Sequence, residues 1–422
     1  MDILGSGGET NRWVVGNIIA SLRSAVAAVV ALSASVANAQ VDTLAYASAP
    51  VNLTLLPQLI AVSAYNGDGF VGALHRPLNT SEPKASIALM VMHAEQDYWY
   101  FYPCTQLAAC GYTVLCGNNA ASKTGLMNDL DFPAMMINVG EMVQWLRNQT
   151  YIEKVVLWGH SSGEAMISEY QNIAENGVSA CNGPEKTSLC SDGFAGLPPA
   201  DGVILHDANY GLSTMGFISL NAAVKNESTG LRDIDATLDL YSTTDGYNAS
   251  GGSSNYTADF LSRWSTVAVV RNNRLLTFAQ GRADAISNYN TSSSFYDGAL
   301  MTTIGRYLRT FATTVNADYK IKADGIDGIQ WNSSHMVPIN AVKGVKVPFL
   351  LIGNAGHYEY LNAEKAFLTS GSNDTSKAFV EGAKHTINPC TDCETYPGQY
   401  NNTIKNAFNY QAALLEKAGR FI

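Results

Sequence analysis

Basic residues are scarce in this sequence and never form a cluster. The chain of 422 residues has 26 lysines and arginines against 36 aspartates and glutamates, which gives a formal net charge of −10. Nucleic acids and anionic membranes both select for clustered lysine and arginine. The composition therefore argues against nucleic acid or an anionic membrane as the main partner.

Long apolar runs are also missing, with one short exception near the N-terminus. Two arginines precede an apolar stretch over residues 24–36, and the small-x-small sequence Ala37-Asn38-Ala39 follows it. This order predicts a secretory signal peptide over 1–39 that is cleaved after Ala39. The stretch is too short to span a bilayer comfortably, so we expect no stable membrane insertion after signal removal. A retained membrane anchor is the alternative.

No second ligand pair at zinc-finger spacing accompanies Cys390-x-x-Cys393, which argues against a structural zinc there. The seven cysteines instead fit pairing in an oxidising compartment, with one left over, and Cys181 with Cys190 and Cys390 with Cys393 would close local loops. We expect a secreted, disulfide-bonded protein without metal or cofactor.

The sequence contains ten Asn-x-Ser/Thr sequons, at Asn52, Asn79, Asn148, Asn226, Asn248, Asn255, Asn290, Asn332, Asn373 and Asn401. In a eukaryotic source the protein would therefore also be a glycoprotein.

Apolar runs of strand length alternate with helical periods through the first half of the chain. With 46% hydrophobic residues, the chain can bury the core of one large domain with an insertion, or of two domains. A hairpin signal at 66–69 comes first, and strand and helix patterns then alternate up to residue 210. This alternation predicts an α/β fold with a doubly wound, mostly parallel sheet.

The alternation stops after Tyr210 and resumes near residue 346. Polar loops and a few helix-like segments fill the interval, which we interpret as a cap inserted between the sixth and seventh core strands. The expected organisation is core over 40–210, cap over 211–345 and core over 346–422. An apolar pocket under this cap is expected to be lined by cap aromatics: Trp264, Phe278, Tyr289, Phe295 and Tyr296.

The strongest local signal is the pentapeptide Gly159-His160-Ser161-Ser162-Gly163. Chance alone often produces Gly-x-Ser-x-Gly, but here it follows an apolar strand and opens an amphipathic helix. A tight strand-to-helix turn strains its central residue and lifts the hydroxyl above the sheet, while the flanking glycines relieve crowding. The setting predicts Ser161 as a nucleophile. Ser162 is the competing nucleophile. The alternative without catalysis is that Ser161 is an ordinary loop serine.

A serine hydroxyl needs a base to take its proton. His385 follows the last predicted strand and precedes the final helix, so its loop should lie over the same end of the sheet as Ser161. His357 is the alternative base. We expect His160 to point away from the turn.

A carboxylate should hold the imidazole, and two backbone N–H groups should stabilise the oxyanion. The segment after the penultimate strand has no aspartate but contains Glu359 and Glu364, which are level candidates for the acid. Asp207, after the sixth strand, ranks behind them. Ser162 should supply one oxyanion donor, and Ala94 or Glu95, after the third strand, should supply the other.

Residues 55–422 resemble the α/β-hydrolase superfamily in strand order, serine turn, insertion position and terminal histidine. Gly356-His357-Tyr358 with Glu364, followed by the sequence from Phe379 to His385 and by Pro389-Cys390, resembles a poorly characterised group of secreted serine hydrolases and esterases. That resemblance slightly favours Glu364 as the acid. It implies cleavage of esters, thioesters, lactones or amides. The chain departs from the family pattern in lacking the aspartate after the strand and in reading His-Ala-Glu at the oxyanion turn.

The sequence thus predicts a serine hydrolase that cleaves a small-molecule carboxylic ester, with an apolar acyl or aryl group, through an acyl-Ser161 intermediate. An acyltransferase or lactone-forming enzyme on the same fold is the second hypothesis. A non-catalytic binding protein that kept the fold is the third. The sequence predicts no cofactor and gives no basis for an oligomeric state.

Overall fold

The structure is a computed structural model that describes residues 57–63, 69–121, 123, 129–227, 233–250, 254–285, 294–296, 301–322 and 324–422. The predicted signal peptide lies outside these residues, so secretion stays a prediction. In this part of the chain, no helix combines the length and the apolar character needed to cross a membrane.

One large sheet organises the fold. Its strands are β1 (Gln58–Ser63), β2 (Gly69–His75), β3 (Ile87–His93), β4 (Thr113–Asn118), β5 (Lys154–Ser161) and β6 (Gly202–Ala208). Two separate hairpins follow, β7 (Ser294–Tyr296) with β8 (Met301–Thr303) and β9 (Val315–Lys322) with β10 (Gly325–Ile329). The sheet is completed by β11 (Phe349–Asn354) and β12 (Thr375–Val380).

The strand order of the sheet is β1-β2-β4-β3-β5-β6-β11-β12. Only β2 runs antiparallel to its neighbours in this sheet, and the other pairs are parallel. The prediction of a doubly wound, mostly parallel sheet is therefore confirmed. Because parallel strands end at the same edge, the residues after β3, β5, β6 and β11 come together there.

Helices cover both faces of the sheet. They are α1 (Tyr102–Ala109), α2 (Phe132–Arg147), α3 (Ser162–Asn176), α4 (Leu212–Ile218), α5 (Ala258–Ala285), α6 (Ile304–Arg306), α7 (Pro338–Ala341), α8 (Tyr360–Thr369) and α9 (Thr403–Leu415). Alternate residues of β3 belong to different cores: Met90 packs in the cluster with α2 and α3, whereas Leu89 packs in the cluster with α1 and α9. Burial on both faces explains why the central strands read as continuous apolar runs.

The segment between β6 and β11 contains four helices, α4 to α7, and both small hairpins within its described residues. Trp264 on α5 is 2% exposed and belongs to the main core, whereas Phe278 on the same helix is 54% exposed. These two aromatics therefore do not share one pocket wall, which corrects that expectation. The side chains of Tyr289, Phe295 and Tyr296 lie outside the described part, and the cap boundaries at 211–345 stay a prediction.

Three disulfides link six of the seven cysteines. Cys181 pairs with Cys190 and Cys390 with Cys393, as the spacing predicted, and Cys104 on α1 pairs with Cys116 on β4. Cys110 is the odd cysteine. The Cys390–Cys393 disulfide accounts for both sulfurs of the motif that zinc would otherwise have used.

Helix α3 begins in close contact with strand β3. A Cβ on Gly163 would lie 3.1 Å from His93 Cα and closer still to the carbonyl oxygen of Met92. Both neighbours are backbone atoms of a central strand, so they cannot move aside cheaply. Glycine at this position lets the first turn of α3 pack directly on the sheet.

We expect Gly163→Ala to lower the free energy of unfolding by about 1–3 kcal/mol, because the added methyl group overpacks this contact. Urea denaturation measures the change. Gly281→Ala, at an exposed position of α5, is the matched control, since a Cβ there meets nothing within 4 Å. In a helix this change should stabilise by about 0.5–1 kcal/mol. An equal loss of stability in both variants would contradict the packing argument.

Candidate active site

Ser161 occupies a strained turn between β5 and α3. Its backbone angles are φ 56° and ψ −127°, a combination that non-glycine residues avoid. The turn is so tight that a Cβ on Gly159 would lie 2.8 Å from Glu164 Cα. The structure thus gives Ser161 the conformation that the pentapeptide predicted, while its role as nucleophile stays a prediction.

His385 contacts a buried aspartate through one ring nitrogen. Its Nδ1 lies 2.7 Å from Asp207 Oδ2, where an Nδ1–H would donate to the carboxylate. Asp207 stands near the end of β6 with φ 65°, and its other oxygen accepts the backbone N–H of Asn354 at 2.9 Å. Both carboxylate oxygens of Asp207 are therefore hydrogen-bonded, which holds the aspartate in place and orients the ring of His385.

Electrostatics favour the ionised form of Asp207. Complete burial by itself would raise the pKa of this carboxyl. The contacts with His357 and His385 outweigh burial and lower the pKa well below the usual range of an aspartate. Asp207 is accordingly an anion at neutral pH, as the acid of a catalytic triad must be.

These observations decide the fold family. The chain has an α/β-hydrolase fold. The sheet has a single antiparallel second strand, a strained serine opens the helix after β5, and a histidine after the last strand contacts a carboxylate at the same edge.

Comparison with known proteins gives structural likeness without sequence likeness. No family model matches the sequence, and no curated protein matches it either. Est1E from Butyrivibrio proteoclasticus has a TM-score of 0.42 at 10% identity, over 85% of this chain and 97% of its own. The α/β-hydrolase GrgF from Penicillium sp. sh18 has 0.42 at 11%, over 86% and 98%. A soluble variant of monoglyceride lipase from Saccharomyces cerevisiae has 0.42 at 12%, over 86% and 96%.

The structure places the three candidate acids in a different order from the ranking drawn from sequence. Glu364 lies on α8 with 56% of its side chain exposed, and its Oε1 accepts from Lys377 Nζ at 2.8 Å. Asp207, ranked third, holds the imidazole instead. The physical reason is that β11 ends in Asn354, whose N–H binds Asp207, so the strand end before Glu364 supports an acid from the neighbouring strand β6.

Glu359 does reach the candidate site. Its Oε2 lies 3.2 Å from His385 Nδ1, and the residue is 3% exposed. Burial raises the pKa of Glu359, and His385 and His357 offset only part of the rise. The hydrogen bond of His385 Nδ1 goes to Asp207, to which both the shorter contact and the lowered pKa belong. His357, the alternative base, has its Nδ1 3.2 Å from the same Asp207 oxygen.

His160 has a role that the sequence analysis missed. Instead of pointing away, its Nε2 lies 2.6 Å from the carbonyl oxygen of His385, and its Nδ1 lies 2.6 Å from the hydroxyl of Tyr98. Burial, followed by nearby His385 and His206, lowers the pKa of His160 well below the usual range, so the ring is neutral. The residue before Ser161 thus holds the backbone of the predicted base. Asn354 donates to the same carbonyl at 3.2 Å.

The position of Ser162 is compatible with its predicted role as an oxyanion donor. Ser162 is the first residue of α3, where N–H groups have no acceptor within the helix. Its hydroxyl lies 3.0 Å from His93 Nε2. A buried His93, whose pKa is lowered mainly by that burial, ties the start of α3 to the end of β3.

The other predicted donor needs a correction. The N–H of Glu95 donates to His93 Nδ1 at 3.1 Å, and the N–H of Gln96 donates to the same atom at 2.9 Å. The Glu95 amide is therefore already engaged. The carbonyl of Ala94 is held by Asn119 at 3.0 Å, which fixes this turn. Of the two candidates, Ala94 remains available for the oxyanion role.

The side chain of Glu95 has an unusual environment beside this turn. Burial raises its pKa from 4.5 to about 7, although nearby Lys123 lowers it in part. Its Oε2 is buried without a hydrogen-bond partner. Burial in turn lowers the pKa of Lys123 to about 8. An acid next to the oxyanion turn therefore changes its charge near neutral pH.

We expect Glu95→Gln to flatten the pH dependence of stability. Between the unfolded pKa near 4.5 and the folded pKa of about 7, the folded chain binds more protons than the unfolded chain, so stability falls as pH rises. Wild type should lose on the order of 3 kcal/mol relative to Glu95→Gln across this window. Urea denaturation at several pH values measures it. Glu364→Gln, an exposed carboxyl, is the control, and parallel curves for wild type and Glu95→Gln would contradict the assignment.

Proposed function

We propose that this protein is a secreted serine hydrolase that cleaves a carboxylic ester, or a related lactone or thioester, through an acyl-Ser161 intermediate. The observation that carries the proposal is the 2.7 Å contact of His385 with Asp207 at the strand edge that also bears the strained Ser161. Because His160 binds the His385 carbonyl, the loop of the base is tied to the residue preceding the nucleophile.

The proposed mechanism passes through an acyl-enzyme, with His385 as the group that moves the proton in each step. His385 Nε2 takes the proton of Ser161 Oγ as the hydroxyl attacks the substrate carbonyl, and Asp207 stabilises the imidazolium that forms. The N–H groups of Ser162 and Ala94 stabilise the oxyanion. His385 then protonates the leaving alcohol, and water resolves the acyl-enzyme by the same steps in reverse.

The charge of Asp207 and the burial around it support an uncharged small-molecule substrate. Glu164 and Glu359 are buried close to Asp207, and burial raises the pKa of both, so the negative charge of the site belongs to Asp207. That charge would repel an anionic substrate, whereas a neutral ester with an apolar acyl or aryl group would not be repelled.

Three disulfides support the secreted location, since such bonds persist in oxidising compartments.

We expect Ser161→Ala to abolish covalent labelling by a fluorophosphonate probe and to abolish hydrolysis of p-nitrophenyl esters. The reason is that Ser161 has the strained backbone angles, whereas the hydroxyl of neighbouring Ser162 is engaged by His93 at 3.0 Å. Ser168→Ala, on the helix α3 that follows the turn, is the matched control, because its buried hydroxyl donates to the Ala165 carbonyl. It should label like wild type. Labelling that persists in Ser161→Ala would overturn the proposed nucleophile.

We expect Asp207→Asn to lower kcat/KM for p-nitrophenyl esters by about 10⁴-fold, because an amide no longer stabilises the imidazolium or its tautomer. Glu359→Gln should cost less, since its contact with Nδ1 is longer. Glu364→Gln should keep wild-type rates, because that side chain pairs with Lys377 at the surface. All assays contain a chelator, so that metal binding to these carboxyls does not affect the rates. A greater loss in Glu359→Gln or Glu364→Gln than in Asp207→Asn would contradict the assignment of the acid.

A further inference from the structure

Four side chains of metal-ligand type converge behind the proposed base. Asp207, His357, Glu359 and His385 each present one ligand atom, and all four atoms lie within 4.8 Å of one another. His385 Nδ1 lies 2.7 Å from Asp207 Oδ2 and 3.2 Å from Glu359 Oε2. His357 Nδ1 lies 3.2 Å from Asp207 Oδ2 and 4.0 Å from Glu359 Oε2.

These separations are close to those between the ligand atoms of a tetrahedral zinc site. Zinc binds nitrogen and oxygen ligands at about 2.0–2.2 Å, which places the ligand atoms of a tetrahedron about 3.3–3.6 Å apart. The four measured contacts lie on both sides of that value. Small side-chain movements would therefore bring all four atoms to bonding distance of one ion. Two imidazoles with two carboxylates also favour zinc over magnesium or calcium, which prefer oxygen ligands.

Two of the four atoms make no well-formed hydrogen bond. His357 Nδ1 and Glu359 Oε2 are buried, and the contacts that each makes within the cluster, at 3.2 Å, do not have hydrogen-bond geometry. Glu359 has 4% of its side chain exposed, so water satisfies it poorly. A buried polar atom without a partner costs about 1–3 kcal/mol. The triad mechanism needs only Asp207 and His385, which leaves the other two atoms directed into the cluster without a catalytic task.

A second group of ligand-type residues in the described part carries no such argument. His75, Cys104 and Cys116 also lie within reach of one another. The two cysteines form one disulfide, so neither supplies a thiolate.

We propose that Asp207, His357, Glu359 and His385 form a Zn²⁺ site whose occupation reversibly inhibits the hydrolase. The inhibitory part rests on the proposed function. Zinc would take the lone pair of His385 Nδ1 together with the Asp207 oxygen that otherwise accepts a hydrogen bond from Nδ1–H. The single proton of the neutral ring then moves, through solvent, from Nδ1 to Nε2. With a proton already on Nε2, His385 has no lone pair to take the proton of Ser161.

Cobalt(II) binding to the whole protein tests the site. We expect one Co²⁺ per chain, with the intense visible absorption of a four-coordinate ion, and displacement of that ion by Zn²⁺. His357→Ala and Glu359→Gln should each weaken the metal affinity at least tenfold. Mutation of a residue that only hydrogen-bonds a metal ligand already lowers metal affinity by about 10–100-fold, and loss of a ligand should cost no less. Glu364→Gln, a surface carboxyl on the same segment, is the control and should bind like wild type. Melting curves confirm that the variants are folded.

Enzyme assays separate the metal site from the proposed function. Ser161→Ala should lose esterase activity and keep full metal affinity. Zn²⁺ should inhibit wild type over the concentration range in which it binds, and a chelator should restore activity. The site is overturned if no Co²⁺ binds at millimolar concentration, or if both ligand variants bind like wild type. Binding without inhibition overturns the inhibitory role, and esterase activity in Ser161→Ala overturns the proposed function alone.

Discussion

The contact between a buried, ionised Asp207 and His385 is the interaction on which the site depends. An anion with no exposed surface is stable only where hydrogen bonds replace its hydration, and Asp207 receives one from the Asn354 backbone and one from His385. Each of these partners comes from a different part of the chain. The sheet is what brings them together, because β6 and β11 are neighbours and end at the same edge.

The carboxyls around Asp207 differ from it in charge, because their pKa values are raised and its own is lowered. Glu164 and Glu359 are buried close by, and burial together with the charge of Asp207 raises the pKa of each. Several acids in a dry space cannot all ionise, so the one with the best partners does. The hydrogen-bond network thus determines which of the buried acids is ionised. The spacing of acidic residues along the sequence does not reveal which one it is.

This explains which parts of the molecule could be predicted from sequence. The sheet followed from apolar runs, and the conformation of Ser161 followed from flanking glycines, because both are local patterns. Asp207 was ranked third because the choice depends on partners 147 and 178 positions away. The engaged N–H of Glu95 and the inward position of His160 depend on ring orientations, which no pattern of residue types reports.

The long segment between β6 and β11 joins two strands that are neighbours in the sheet. Its two ends leave and re-enter the sheet on adjacent, paired strands, with Val203 next to Phe349 in register. The pairing of β6 with β11 therefore holds the two ends of the segment side by side, whatever path the chain takes between them. The alignment of Asp207 with Asn354 is accordingly set by strand register and does not depend on the length of the connection.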